Sequence, residues 1–175
     1  MVYQIMQSLH DKYPNDVIGQ GVYDAIGLVI IPKPIYPDSD GPAAYGKSTE
    51  ELSILRSIWK KAGLDPGEWF ITTAAKNREG DIDNDRLCDI VEAISPRIVV
   101  CCGKEALQAF LGPTKAEGAF KGVLPLDGHY IVLYTYDLNK YVENRNAYPE
   151  EAKKIAAEIM EHWITAQNIV SNITV

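Results

Sequence analysis

Residues 96–112 read PRIVVCCGKEALQAFLG. From Arg97 to Cys102 the stretch is apolar after its first residue, with no alternation. Such a run predicts a short strand buried on both faces, as in a parallel sheet. Gly103 follows at once and turns the chain into a helix, Lys104 to Leu111, which Gly112 closes. Strand, glycine, helix in this order is the start of a strand–helix–strand crossover.

Working outward, three more stretches have the same character: Ile26 to Ile31 (IGLVII), Trp69 to Thr73 (WFITT) and Tyr130 to Thr135 (YIVLYT). Helical patterns separate them. Ser48 and Glu51 form a capping-box pattern, followed by Leu52, Leu55, Ile58 and Trp59 at helical spacing, with Gly63 as the stop. Asp85 is expected to open the next helix, with Leu87, Ile90, Val91 and Ile94 as its apolar stripe and Ser95-Pro96 ending it. A long amphipathic helix is expected from Pro149 to Ala166, carrying Ala152, Ile155, Ile159 and Trp163 on one face. Met1 to Tyr13 reads as a short helix within a lead-in over 1–20. Residues 168–175 read as a short strand or a loose tail. Alternating strands and helices predict an α/β fold with a parallel sheet and right-handed crossovers.

Bulk properties bound the function. At 175 residues, 46% hydrophobic and 23% charged, the chain reads as one globular domain spanning 1–175. Its longest apolar run is interrupted by Lys33, so no membrane span is expected, and no signal peptide is apparent. A cytoplasmic protein is the expectation. Cys88, Cys101 and Cys102 show no metal-ligand spacing and are expected to be buried thiols, with no cofactor and no metal. A net charge of −7 argues against broad non-specific binding of nucleic acid. Any such contact must use a cluster of a few cations.

Parallel sheets carry their sites beyond the carboxyl ends of the strands. Four loops qualify. The first, residues 32–47, is rich in proline and glycine and holds Lys33, Tyr36, Asp38, Asp40, Tyr45 and Lys47. The second, 74–84, begins with Lys76, Asn77 and Arg78, which suit an anion. Its acidic half, Asp81 to Asp85, reads as turn and cap chemistry. The third is Gly103-Lys104, where a helix N-terminus can offer N–H groups to a phosphate. The fourth, 136–146, combines Tyr136, Asp137, Asn139, Lys140, Tyr141 and Arg145, a mixture suited to base stacking and phosphate pairing. Lys33, Lys47, Lys76, Arg78, Lys104, Lys140 and Arg145 would then share one edge.

Three blocks, covering about Ile26 to Trp163, resemble the uracil-DNA glycosylase-like superfamily, closest to its thermophile-type, iron–sulfur branch. Ala62-Gly63-Leu64 with Trp69 to Arg78 is similar to the family's "AGL…YITNVVKCRP". Pro96 to Gly112 is similar to "RPRVVLALGATAARALLG". Thr135 to Asn144 is similar to "TYHPAYLLRN". The resemblance implies a three-layer α/β/α sandwich around a central four-stranded parallel sheet. It also implies a protein acting on or binding DNA bases, with a replication or repair protein as a further partner.

Residue by residue the site departs from the family's pattern. Lys33 stands where a motif of the "GQDPY" type has its aspartate, and only Pro34 matches beside it. Thr73 stands at the uracil-reading asparagine, Ala44 or Tyr45 near the stacking phenylalanine, and Asp137 at the catalytic histidine. Of the cluster cysteines only Cys88 has a counterpart, so no iron–sulfur cluster is implied. Glycosidic cleavage builds positive charge on the sugar and negative charge on the base. Lysine and an ionised aspartate at these positions oppose both.

Three readings follow. In the first, the chain excises bases by an altered route, with Lys33 as an amine nucleophile and Asp38, Asp40 or Asp137 as acid or base. Pro34, Tyr36, Tyr45, Thr73, Asn77 and Asn139 would then contact the substrate. Lys76, Arg78, Gly103, Lys104, Lys140 and Tyr141 would hold the DNA. In the second, the fold is kept as a catalytically silent module for DNA or a replication protein. In the third, an α/β domain binds a phosphorylated small ligand at Gly103 and Arg78.

Overall fold

The four stretches are mostly apolar on both faces, with Thr72, Thr73 and Thr135 among the few polar side chains they bury, so each is stable between two helical layers. The computed structural model describes residues 2–112, 124–126 and 130–174. Met1 and Val175, the outer ends of the expected N-terminal helix and tail, lie outside it. The elements are α1 (Val2–Lys12), β1 (Gln20–Gly21), β2 (Gly27–Ile31), α2 (Glu50–Ala62), β3 (Trp69–Thr73), α3 (Asn84–Ile94), β4 (Ile98–Cys102), α4 (Lys104–Leu111), β5 (Leu124–Leu126), β6 (Tyr130–Thr135), α5 (Leu138–Asn144) and α6 (Pro149–Thr174).

The sheet runs β1-β3-β2-β4-β6-β5. Its four central strands are parallel, and β2, β3 and β4 are buried at every position. The registers bring the carboxyl ends level, with Ile31 opposite Thr73 and Cys102 opposite Thr135. Helices α1, α3 and α4 pack on one face through Met6, Leu87, Ile90 and Leu107. Helices α2, α5 and α6 pack on the other face through Leu55, Trp59, Leu138, Ile159 and Trp163.

Three tryptophans tie that second face together. Trp59 of α2, Trp69 of β3 and Trp163 of α6 have ring centroids 5.5–5.8 Å apart. Such pairs add ~0.5–1.5 kcal/mol each beyond the area they bury. Gly27 makes the cluster possible, because a Cβ there would lie 2.4 Å from the Trp69 ring.

The structure corrects several expectations. The sheet is mixed and six-stranded, since the antiparallel strands β1 and β5 extend the parallel four at either edge. Strands of two and three residues are too short to show a period. Thr49, not Ser48, caps α2, accepting from Leu52 N–H at 3.4 Å. The Ser48 hydroxyl instead donates to Asp40 at 2.6 Å. Asp83, not Asp85, caps α3 by accepting from Arg86 N–H at 3.2 Å. Cys88 is exposed rather than buried, because it lies off the stripe of Leu87, Ile90, Val91 and Ile94. The segment over 168–174 is neither strand nor loose tail but the end of α6, whose buried stripe continues through Ala166 and Val170. Residues 138–144, expected as loop, form α5. No described helix is long and apolar enough to cross a membrane.

Candidate functional site

After β2 the chain passes to α2 on one face, and after β4 it passes to α4 on the other. The two connections diverge, and divergence of this kind opens a crevice at the carboxyl ends of the strands. A cleft of about 720 Å³ lies there. Pro32 and Lys33 from the β2 exit, Glu105 of α4, and Asp137, Asn139 and Lys140 at the β6 exit line it.

Asp137 is the most perturbed group in this wall. It is 7% exposed and caps α5, accepting from Asn139 N–H at 3.0 Å. Burial pushes its carboxyl from 3.8 up to about 6, against the pull of that hydrogen bond and of Lys140. A carboxyl tuned to this range can hold or give up a proton near neutrality. Gly103, at φ +94°, lets the β4–α4 turn approach it: a Cβ on Gly103 would lie 3.0 Å from the Asp137 Cβ. That backbone conformation is one that side chains rarely adopt.

The other expected residues divide into groups. Lys33 is exposed, lines the cleft and makes no ion pair among the described residues. Tyr36, Asp38 and Arg78 come together with one another, outside the lining of the cleft. The Arg78 guanidinium donates to Asp38 at 2.8 Å and to the Tyr36 carbonyl at 3.0 Å, and lies 4.4 Å from the centre of the Tyr36 ring. It therefore pins the 32–47 loop to the 74–84 loop. Pro34 is buried beneath that loop. Tyr45 is 1% exposed and packs into the tryptophan face, its hydroxyl without a partner among the described residues.

Thr73 is fully buried. Its hydroxyl donates to the Ala75 carbonyl and accepts from Arg86 at 2.9 Å. Asn77 closes a turn with Asp81, donating at 2.8 Å and accepting at 3.1 Å. Lys76 is half-buried, with its backbone N–H bonded to the Asp81 carbonyl. The Asn139 amide donates to Glu143 at 3.2 Å. Gly103, Lys104, Lys140 and Tyr141 line a second cavity, which also touches Asp137.

Much of the expected basic edge is internally neutralised. Arg78 pairs with Asp38, Lys140 with Glu105, and Arg145 with Glu50. Sequence reasoning named Asp38 as a candidate acid or base but not as a partner of Arg78; it missed Glu105 and Glu50, and it missed Arg86, whose burial nothing in its local pattern signals. It also missed Tyr134 and Tyr148 beside the second cavity. Their signal was present, since four of the ten tyrosines fall between 134 and 148. Among the described residues, no cluster of three or more histidine, cysteine or acidic side chains could hold a metal ion. No protein-family model matches the chain, and no curated protein matches it at a significant level.

Proposed function

We propose that this chain is a uracil-DNA glycosylase-like protein that takes a DNA base into the cleft at the carboxyl edge of its sheet. The observation that carries this reading is Asp137: a nearly buried carboxyl, raised to about 6, on the wall of a 720 Å³ cleft. A departing base accumulates negative charge. An ionised aspartate in the place of the family's histidine would repel it, whereas a protonated one can donate to it. Burial raises the protonated fraction, which predominates below about pH 6, without a histidine. Lys33, across the same cleft, serves as an amine nucleophile towards the sugar or as a cation against a phosphate.

A second reading is favoured by Thr73. The position of the base-reading amide is occupied by a hydroxyl already committed to Ala75 and Arg86. Such a site can hold a base without the paired contacts that select uracil, as a catalytically silent binding module would.

Base release from single- and double-stranded DNA separates the two. The substrates carry uracil, hypoxanthine, xanthine, thymine mismatches or hydroxymethylated pyrimidines, at low salt. Release by the wild type that falls about 100-fold or more in Asp137→Asn, and that declines as pH rises through Asp137's titration, supports excision. Asparagine keeps the cap on α5, so the loss would report the proton. No release by folded wild type that still binds the DNA would overturn excision in favour of the silent module.

A further inference from the structure

On the other side of Asp137 lies a cavity of about 320 Å³, whose lining includes Gly103, Lys104, Lys140 and Tyr141. This is at the small end of the roughly 300–1,000 Å³ that ligand sites span, enough for one ring and its substituents. Tyr134, Tyr136, Tyr141 and Tyr148 line it. Tyr134 is the penultimate residue of β6 and Tyr136 the first beyond the strand, with ring centroids 6.4 Å apart. Tyr136 is fixed in place: its ring stacks on His162 at 6.0 Å and its hydroxyl donates to Glu158. Tyr148 is 61% exposed.

Three cations, Lys104, Lys140 and Arg145, line the same cavity, facing Glu151 and the shared Asp137. Aromatic walls alone would suit a quaternary ammonium, but three cations oppose one. They suit a planar ring that carries negative charge. The Lys140–Glu105 and Arg145–Glu50 pairs are partly exposed. Exposed pairs are weak, so a phosphate can compete with the carboxylates.

We infer that this cavity is a second binding site, for a nucleotide, with the base against the tyrosines and the phosphate against Lys104, Lys140 and Arg145. The nucleotide is either free or one link of a single strand. In the strand form its neighbour faces the larger cleft, and that form rests on the reading of the preceding subsection. The free form does not. A paired base cannot reach such a site without leaving its stack.

Titration calorimetry with thymidine monophosphate, a short single-stranded thymidine oligomer and a blunt DNA hairpin tests the inference. Tyr148→Leu should weaken the monophosphate about tenfold, the scale of one lost base–aromatic stack. Tyr148→Phe should restore it, and Lys33→Ala, which alters only the larger cleft, should leave it unchanged. Equal affinities for monophosphate and oligomer identify a free nucleotide. A tighter oligomer with steep salt dependence identifies a strand. The inference is overturned if neither binds the wild type, if the hairpin binds as tightly as the single strand, or if Lys33→Ala abolishes binding that Tyr148→Leu leaves intact. Absence of base release would defeat the glycosylase reading and leave this result untouched.

Discussion

Arg86 and Asp137 are both ionisable residues withdrawn from water near the carboxyl edge of the sheet, Arg86 fully and Asp137 to 7% exposure. They are satisfied in opposite ways. Arg86 donates from Nε to the Val17 carbonyl at 2.9 Å, from Nη1 to the Thr73 carbonyl at 3.0 Å, and from Nη2 to Thr73 Oγ1 at 2.9 Å. Burial lowers it to about 10, so it remains charged at neutral pH. Asp137 accepts one backbone N–H and faces two cavities. A buried charge saturated by protein groups is a clamp, here tying the lead-in segment to β3 and α3. A buried acid with unfilled capacity beside open volume is a candidate for chemistry.

Removing the clamp is the strongest way to test that contrast. Arg86→Met leaves the Val17 and Thr73 carbonyls without these donors, at ~1–3 kcal/mol each. A drop in the urea midpoint equivalent to about 2–6 kcal/mol, the two losses together, is expected. Unchanged stability would show that Arg86 is not the clamp described.

The Asp137 side gives a smaller effect with a defined sign. Its folded value is raised from 3.8 to about 6, so folding favours the protonated form. Its contribution to stability is full below the lower value and is lost as pH rises through the upper one. The loss is about 3 kcal/mol, at 1.36 kcal/mol for each pH unit between the two values. Urea denaturation across that window should show the decline in the wild type and its absence in Asp137→Asn. An equal slope in both proteins would assign the titration elsewhere.

The smallest effect is expected at Arg78. Its pair with Asp38 is exposed, so Arg78→Ala should cost no more than about 1 kcal/mol. Limited proteolysis of the 32–47 loop should nevertheless become faster, because the guanidinium bridges two loops. A large loss of stability would place Arg78 with Arg86 as a clamp.

The strands were legible because each is a local apolar run. Trp69–Thr73 and Tyr130–Thr135 are found as expected, and the other two begin one residue later. Helix α4 agrees at both ends, since Gly103 and Gly112 mark them within the sequence itself. Tyr45 was less legible. An aromatic in a proline-rich loop can face solvent or core, and here the Ile35–Tyr45 bridge folds it inward. Asp137 was visible as a residue beyond a strand, but its tuning was not. That depends on Asn139, Lys140 and the surrounding burial together.

The sequence by itself therefore determined the alternation of strands and helices, and hence the α/β class and the edge of the sheet at which loops collect. These follow from hydrophobic period and turn chemistry, which act over a few neighbouring residues. Tertiary structure alone decided the antiparallel edges, the pairing of Arg78, Lys140 and Arg145 with distant carboxylates, the burial of Arg86, and the two cavities that meet at Asp137. Burial, pairing and open volume are sums over groups far apart in the chain, and no local pattern contains them.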